Sequence, residues 1–244
     1  MDGTRVVNFL DTEELDRVSP SAFESTRPFP YVNVAGLLKK EGFERLVSDL
    51  PDAAHFIRNV GKPRRGGQAP HDRLSLEFAD QDFIPETWRE FISELRDERY
   101  RRFIADLFGV RKVKLRFHWH YTPTGCWVSP HTDSPREYGS QIFYVNDPNS
   151  WKEEWGGETL VLDDGGALDF NSAPDLSDFR DEIVCCSDGN YSSILKRTDH
   201  GWHAVRPIEC PEGEYRRVFI VVVQPDSILW RARDRVIGRV KNEY

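Results

Sequence analysis

Cysteine is scarce and poorly placed for bridging. The four are Cys126, Cys185, Cys186 and Cys210, and no two form a CxxC pair. A bridge between the adjacent Cys185 and Cys186 would be strained. Reduced thiols in a cytoplasmic protein are therefore expected, not a disulfide framework. No apolar run reaches the roughly 20 residues that a membrane-spanning helix needs. Residues 1–20 are polar and acidic and do not resemble a secretion signal. Positive charge is not in surplus either: 33 Lys and Arg stand against 41 Asp and Glu, a net charge of −8. That balance speaks against a broad nucleic-acid-binding surface. Internal repeats and heptads are absent as well.

What is present suits one sizeable core. The chain has 244 residues, 39% of them hydrophobic. Residues 1–25 read as a tail with one short helix near 12–17. Residues 26–110 read as a helical lead and support, with a helix over 34–50 and a longer one over 86–108. Gly109 ends the second helix, whose aromatic stripe is expected to pack on a sheet. From residue 111 onward, β-rich runs alternate with turns, at 112–121, 141–146, 158–162, 192–196, 202–207 and 216–224. That pattern predicts a sandwich or barrel. Residues 163–190 are acidic, lack periodicity and read as a long loop. Residues 59–72 carry Gly61, Gly66 and Gly67 among Lys62, Arg64 and Arg65, and read as a basic loop. No feature divides 26–110 from 111–244 into separate folding units.

The chemistry concentrates at His131-Thr132-Asp133, with His203 72 residues beyond His131. Residues i and i+2 of an extended segment point the same way, so His131 and Asp133 can reach one ion. Two neutral nitrogens and one carboxylate suit a non-haem Fe(II) with its remaining positions open. His200 competes with His203 for the distal position, but it follows Thr198-Asp199 in what reads as a turn. His118 and His120 stand on a strand before Tyr121, and neither matches a ligand position.

The surrounding residues extend the pattern. Tyr121 to Gly125 precedes the HxD. Ile142-Phe143-Tyr144-Val145-Asn146, Trp155-Gly156-Gly157-Glu158, Trp202-His203-Ala204-Val205 and Tyr215-Arg216-Arg217-Val218 follow. This order resembles the prolyl-4-hydroxylase-like branch of the 2-oxoglutarate/Fe(II) dioxygenases over about residues 112–224. The resemblance implies a mainly β fold with flanking helices (α+β), built on a double-stranded β-helix (jelly-roll, cupin-like) core. It implies Fe(II), with 2-oxoglutarate and O2 as cosubstrates. It implies His131, Asp133 and His203 as metal ligands and catalytic centre, and Arg216 as the partner of the distal 2-oxoglutarate carboxylate. Arg217, which alternation turns to the other face, is the alternative. Tyr144 and Tyr121 match positions that line the cosubstrate pocket. Gly156 and Gly157 read as turn residues that permit positive φ and close backbone approach. Because Asp133 is a carboxylate and not a small residue, the resemblance implies hydroxylation rather than halogenation.

Substrate identity is less legible. Arg64, Arg65, Arg73 and Arg136 are possible contacts for an anionic group, against the plainer reading of solvated surface arginines. A small-molecule or carrier-protein-bound substrate, amino-acid-like or of natural-product type, is expected, with no nucleic acid and no membrane. The alternatives are a peptidyl or protein prolyl-type hydroxylase and a non-oxygenase cupin-like metal-binding protein. Oxidation beyond hydroxylation, such as desaturation, and the oligomeric state stay open.

Overall fold

The computed structural model describes residues 8–62 and 71–226. Among these residues, eleven strands form two antiparallel sheets. The larger takes β1 (Tyr31–Ala35), β9 (Tyr191–Lys196), β6 (Gly139–Tyr144), β11 (Tyr215–Pro225), β4 (Val113–Pro123), β3 (Arg73–Glu77) and β2 (Ile57–Asn59), in that order. The smaller takes β5 (Val128–His131), β10 (His203–Val205), β7 (Thr159–Asp163) and β8 (Asp181–Cys185). Together they make the double-stranded β-helix.

Alternation along the two 11-residue strands β4 and β11 decides what each side of the large sheet carries. Phe117, Trp119 and Tyr121 share one face with Arg217, Phe219 and Val221, because directly paired residues project to the same side. That face receives the helices. The Trp88 ring lies 5.3 Å from Trp119 and 4.9 Å from Phe219, centroid to centroid, and all three residues are fully buried. His118, His120, Thr122, Arg216, Val218 and Ile220 project from the opposite face, toward the small sheet.

Several elements differ from the sequence expectation. The helix expected over 86–108 is two, α4 (Glu86–Arg96) and α5 (Glu98–Phe108), with Asp97 extended between them. Trp88, Phe91, Ile92 and Leu95 form the buried stripe of α4. An unbroken helix would continue that stripe through Arg99 and Arg102; the break instead turns Tyr100, Ile104 and Leu107 inward. The helix expected over 34–50 is shorter, α3 (Lys40–Ser48). Val34 pairs with Ser192 in β1, and Gly36 takes a positive φ of 71°. Asn190 then holds Leu38 outside the helix, accepting its N–H at 3.2 Å and donating to its carbonyl at 2.8 Å.

The N-terminal region carries α1 (Thr12–Arg17) and a second helix, α2 (Pro20–Ser25), whose Phe23 meets Phe108 of α5. The 163–190 stretch, expected as a loop, contains β8. Strand alternation is weak there because β8 is an edge strand, and Ile183 and Val184 are both exposed. Strand β5 contains Pro130, which an edge strand tolerates because one side of its ladder is unpaired. Of the basic loop, residues 63–70, including Arg64 and Arg65, lie outside the described residues. All four cysteines are free thiols. No helix among the described residues is long and apolar enough to cross a membrane.

Candidate metal centre and cosubstrate pocket

The small sheet brings the three sequence-selected ligands together. His131 closes β5 and is directly paired with His203, which opens β10. Asp133 lies in the loop two residues past the strand end. One ligand atom from each of the three falls within 4.8 Å of the others. His203 Nε2 is 3.6 Å from Asp133 Oδ1. Bonds of about 2.1 Å at right angles would space two ligands about 3 Å apart, so a modest inward movement accommodates an ion.

The rest of each ligand is already engaged. His131 Nδ1 lies 2.9 Å from the Ser129 carbonyl and His203 Nδ1 lies 3.1 Å from the Gly201 carbonyl. A carbonyl only accepts, so these contacts favour the proton on Nδ1, the tautomer in which Nε2 is the metal-binding atom. Ser140 Oγ donates to Asp133 Oδ2 at 3.1 Å, which leaves Oδ1 to face the histidines. His200, the competitor ligand, is committed elsewhere: its Nδ1 is 2.8 Å from the buried Asp164 carboxylate. Hydrogen bonds from His200 and from the Leu168 and Gly166 amides outweigh the burial of Asp164 and hold its carboxyl below the usual range. The donor set therefore fits a divalent ion with two imidazoles and one carboxylate on one face.

Arg216 lies inside the roll and is 5% exposed. Its Nε donates to the Gly157 carbonyl and its Nη2 to Thr159 Oγ1 at 3.2 Å. The guanidinium carbon sits 5.6 Å from the Tyr144 ring centroid. Tyr144 Oη donates to Thr159 Oγ1 at 2.7 Å and lies 3.0 Å from Ser193 Oγ. Burial pushes the Arg216 pKa down and the Tyr144 pKa up, with each group's partners opposing the shift. Arginine nevertheless stays charged in proteins. No carboxylate pairs with Arg216 among the described residues. Glu158 is near enough to favour the Arg216 charge without forming an ion pair, so an anionic ligand would further offset the cost of burying the cation. Gly157, at φ 107°, makes this approach possible, since an added Cβ would sit 3.2 Å from Arg216 Cδ.

Tyr121, expected in this pocket, lies elsewhere. Strand phase turns it to the helix side, where its hydroxyl donates to the Pro51 carbonyl at 3.0 Å and its ring stacks on Phe56 at 4.2 Å. Arg217 shares that face, 5.9 Å from the Tyr121 ring centroid and 3.6 Å from Glu214. Both line a cavity of about 850 Å³ beside α3 that none of the three metal-site residues borders. Thr122 takes the inward position that Tyr121 does not. Ser140, Thr159 and Ser193 are site residues that the sequence did not single out. Small hydroxyl side chains in buried strands carry no spacing signal of their own.

No protein-family profile and no curated protein matches the chain. Solved structures do. A prolyl-4-hydroxylase of Pseudomonas putida superposes with a TM-score of 0.58 at 15% identity, over 85% of this chain and 99% of that one. A prolyl hydroxylase of Trichoplax adhaerens, solved with a peptide of hypoxia inducible factor, gives 0.61 at 11%, over 87% and 90%. SnoN, a non-haem α-ketoglutarate-dependent epimerase of nogalamycin biosynthesis, gives 0.57 at 16%, over 88% and 82%. The chain thus has the fold of the 2-oxoglutarate/Fe(II) oxygenases.

Proposed function

We propose that this chain is an Fe(II)- and 2-oxoglutarate-dependent dioxygenase. It hydroxylates an unactivated C–H bond of a small-molecule or carrier-bound substrate, amino-acid-like or of natural-product type. The observation that carries the reading is the pairing of the two sites: a facial His131, Asp133, His203 set on the small sheet, and a buried Arg216 that makes no carboxylate ion pair among the described residues, on the inner face of the large sheet. The metal would supply dioxygen activation: one oxygen atom enters the substrate and the other enters succinate, as 2-oxoglutarate loses carbon dioxide.

The chain's own residues fix the geometry. His131 and His203 present Nε2, each ring held by a carbonyl of its own segment. Ser140 restricts Asp133 to one free oxygen. Arg216 offers a fork to the distal carboxylate of 2-oxoglutarate, with the Tyr144 and Thr159 hydroxyls beside it. Tyr144, kept neutral by burial, remains able to donate.

The roll is closed near His131. His71 bridges Val128 at the start of β5, and Asp72 N–H donates to the Trp127 carbonyl at 3.0 Å. These links tie the lead-in to β3 to the metal-bearing strand.

Anaerobic titration with Fe(II) and then 2-oxoglutarate tests the reading through the visible metal-to-ligand charge-transfer band. The band is expected in the wild type and lost in His203→Ala. Iron binding with no band on adding 2-oxoglutarate would instead support a cupin-like metal-binding protein.

A further inference from the structure

The two carbonyls that orient the histidines of the candidate triad are held differently. Ser129 lies within β5, whose ladder with β10 fixes its backbone. Gly201 lies two residues ahead of β10, in the turn over residues 197–201 that leaves β9. Its carbonyl, which meets His203 Nδ1 at 3.1 Å, is only as steady as that turn.

Most contacts of the turn are short-range. The Gly201 N–H donates to the Thr198 carbonyl at 3.1 Å, and the His200 N–H to Thr198 Oγ1 at 3.3 Å. A Cβ at Gly201 would sit 3.1 Å from the Lys196 carbonyl, so the turn folds tightly onto the end of β9. At its start, the Arg197 guanidinium lies 2.7 Å from Asp199, and Arg197 Nε reaches the Asp133 carbonyl at 3.4 Å. One turn thus abuts two of the three triad residues.

The far end of the turn is tied to a different element by one side chain. His200 Nδ1 lies 2.8 Å from Asp164 Oδ2. Asp164 follows β7, the other neighbour of β10. Its side chain is 2% exposed and held at both oxygens: Oδ1 accepts the Gly166 N–H and Oδ2 the Leu168 N–H, each at 3.0 Å. The His200 side chain is 47% exposed, so the hydrogen bond sets its place more than packing does. An ionised carboxylate only accepts, so Nδ1 is the donor and the contact is charge-assisted.

We infer that His200 is a positioning residue of the metal centre: its hydrogen bond to Asp164 fixes the turn whose Gly201 carbonyl orients His203. Without that bond the carbonyl is free to swing, and the His203 ring can take the other tautomer, whose protonated Nε2 has no lone pair for a metal. The inference rests on the metal-centre reading, but the His203 tautomer is measurable with no metal present.

The test uses the full chain. Long-range proton–nitrogen NMR of the apo protein, at a pH where the rings are neutral, reads the His203 tautomer. Chelator competition reads Co(II) affinity, and the Co(II) d–d bands read ligand geometry. The wild type is expected to hold its proton on Nδ1. His200→Ala should give a mixture of tautomers, shift the d–d bands and weaken Co(II) binding about tenfold, as loss of an outer partner of a ligand does. His200→Asn, whose Nδ2 replaces Nδ1 as the donor, should restore the tautomer and most of the affinity. An unchanged tautomer in His200→Ala overturns the inference, and so does equal loss in the Ala and Asn variants, which would mark a packing role. Should His200→Ala not fold, His200→Leu, which keeps bulk and removes the donor, is read in its place by the same criteria. If the wild type binds no Co(II), the metal-centre reading falls, and the tautomer alone decides whether His200 positions His203.

Discussion

Arg216 and Arg217, adjacent in β11, serve opposite faces of one sheet. Arg216 lies inside the roll against Tyr144, and Arg217 lies outside against Tyr121. The two substitutions should therefore separate cleanly. Arg216→Ala is expected to weaken 2-oxoglutarate binding at least about tenfold, the value of a charge-assisted hydrogen bond. Arg217→Ala should leave it near the wild-type value. Equilibrium titration of the charge-transfer band measures both, and the reverse order would mean that the strand phase is wrong.

Ser140→Ala removes a hydroxyl that donates to Asp133 Oδ2. Loss of such an outer partner commonly lowers metal affinity about 10- to 100-fold. Competition for Fe(II) or Mn(II) against a chelator of known affinity measures it. Ser140→Thr keeps the hydroxyl and should retain most of the affinity; equal loss in both variants would point to packing instead of the hydrogen bond.

His118 gives a stability signature with pH. Burial, with Arg116 and Arg73 adding, lowers its pKa to about 4. The unfolded chain therefore binds the proton first as pH falls. Stability from the neutral ring is complete above pH 6.5 and is lost progressively down to about 4. The span corresponds to at most about 3 kcal/mol. Urea midpoints between pH 7 and 4 should fall less steeply in His118→Gln than in the wild type. Parallel slopes would remove His118 as a source.

Gly139 starts β6, one residue before Ser140, with φ at 148°. An added Cβ would lie 2.1 Å from the Leu195 carbonyl and 2.7 Å from the Phe108 ring. Gly139→Ala must shift β6 away from β9, and a loss of about 1–3 kcal/mol is expected from strain of this kind. Thermal unfolding reads the loss, and a metal titration reads whether the displacement reaches Asp133 through Ser140.

The parts of the fold legible in the sequence were those with a local signature. His131, Asp133 and His203 stood out because their ligand chemistry and spacing have few other uses, and the small sheet brings the three together. Strands β4, β7, β9 and β11 were readable as β-branched and aromatic runs. Strands β2 and β3 lie in or next to the segment that read as a basic loop. Arg73 therefore looked like a surface arginine until its pairing placed it on the inner face. The helix break at Asp97 comes from where Arg99 and Arg102 would have pointed, a conflict of phase that composition does not reveal. Tyr121 is the instructive case. Phe117-His118-Trp119-His120-Tyr121-Thr122 alternates aromatic and polar residues, and this alternation alone assigns Tyr121 to the helix side. Its position ten residues before His131 pointed the other way, and the pleat prevailed.

The two histidines of the candidate triad share one local device: each ring is turned by the carbonyl two residues before it. Neither orientation depends on the other histidine, and the two segments are locked side by side by their ladder. Iron would therefore meet a preorganised claw and would not have to gather scattered side chains. Metal uptake should then add thermal stability only by mass action, rising with the logarithm of free metal, and should leave the heat capacity of unfolding nearly unchanged. Such a protein can be emptied and refilled as a finished scaffold, in contrast to small zinc modules whose fold is made by the ion.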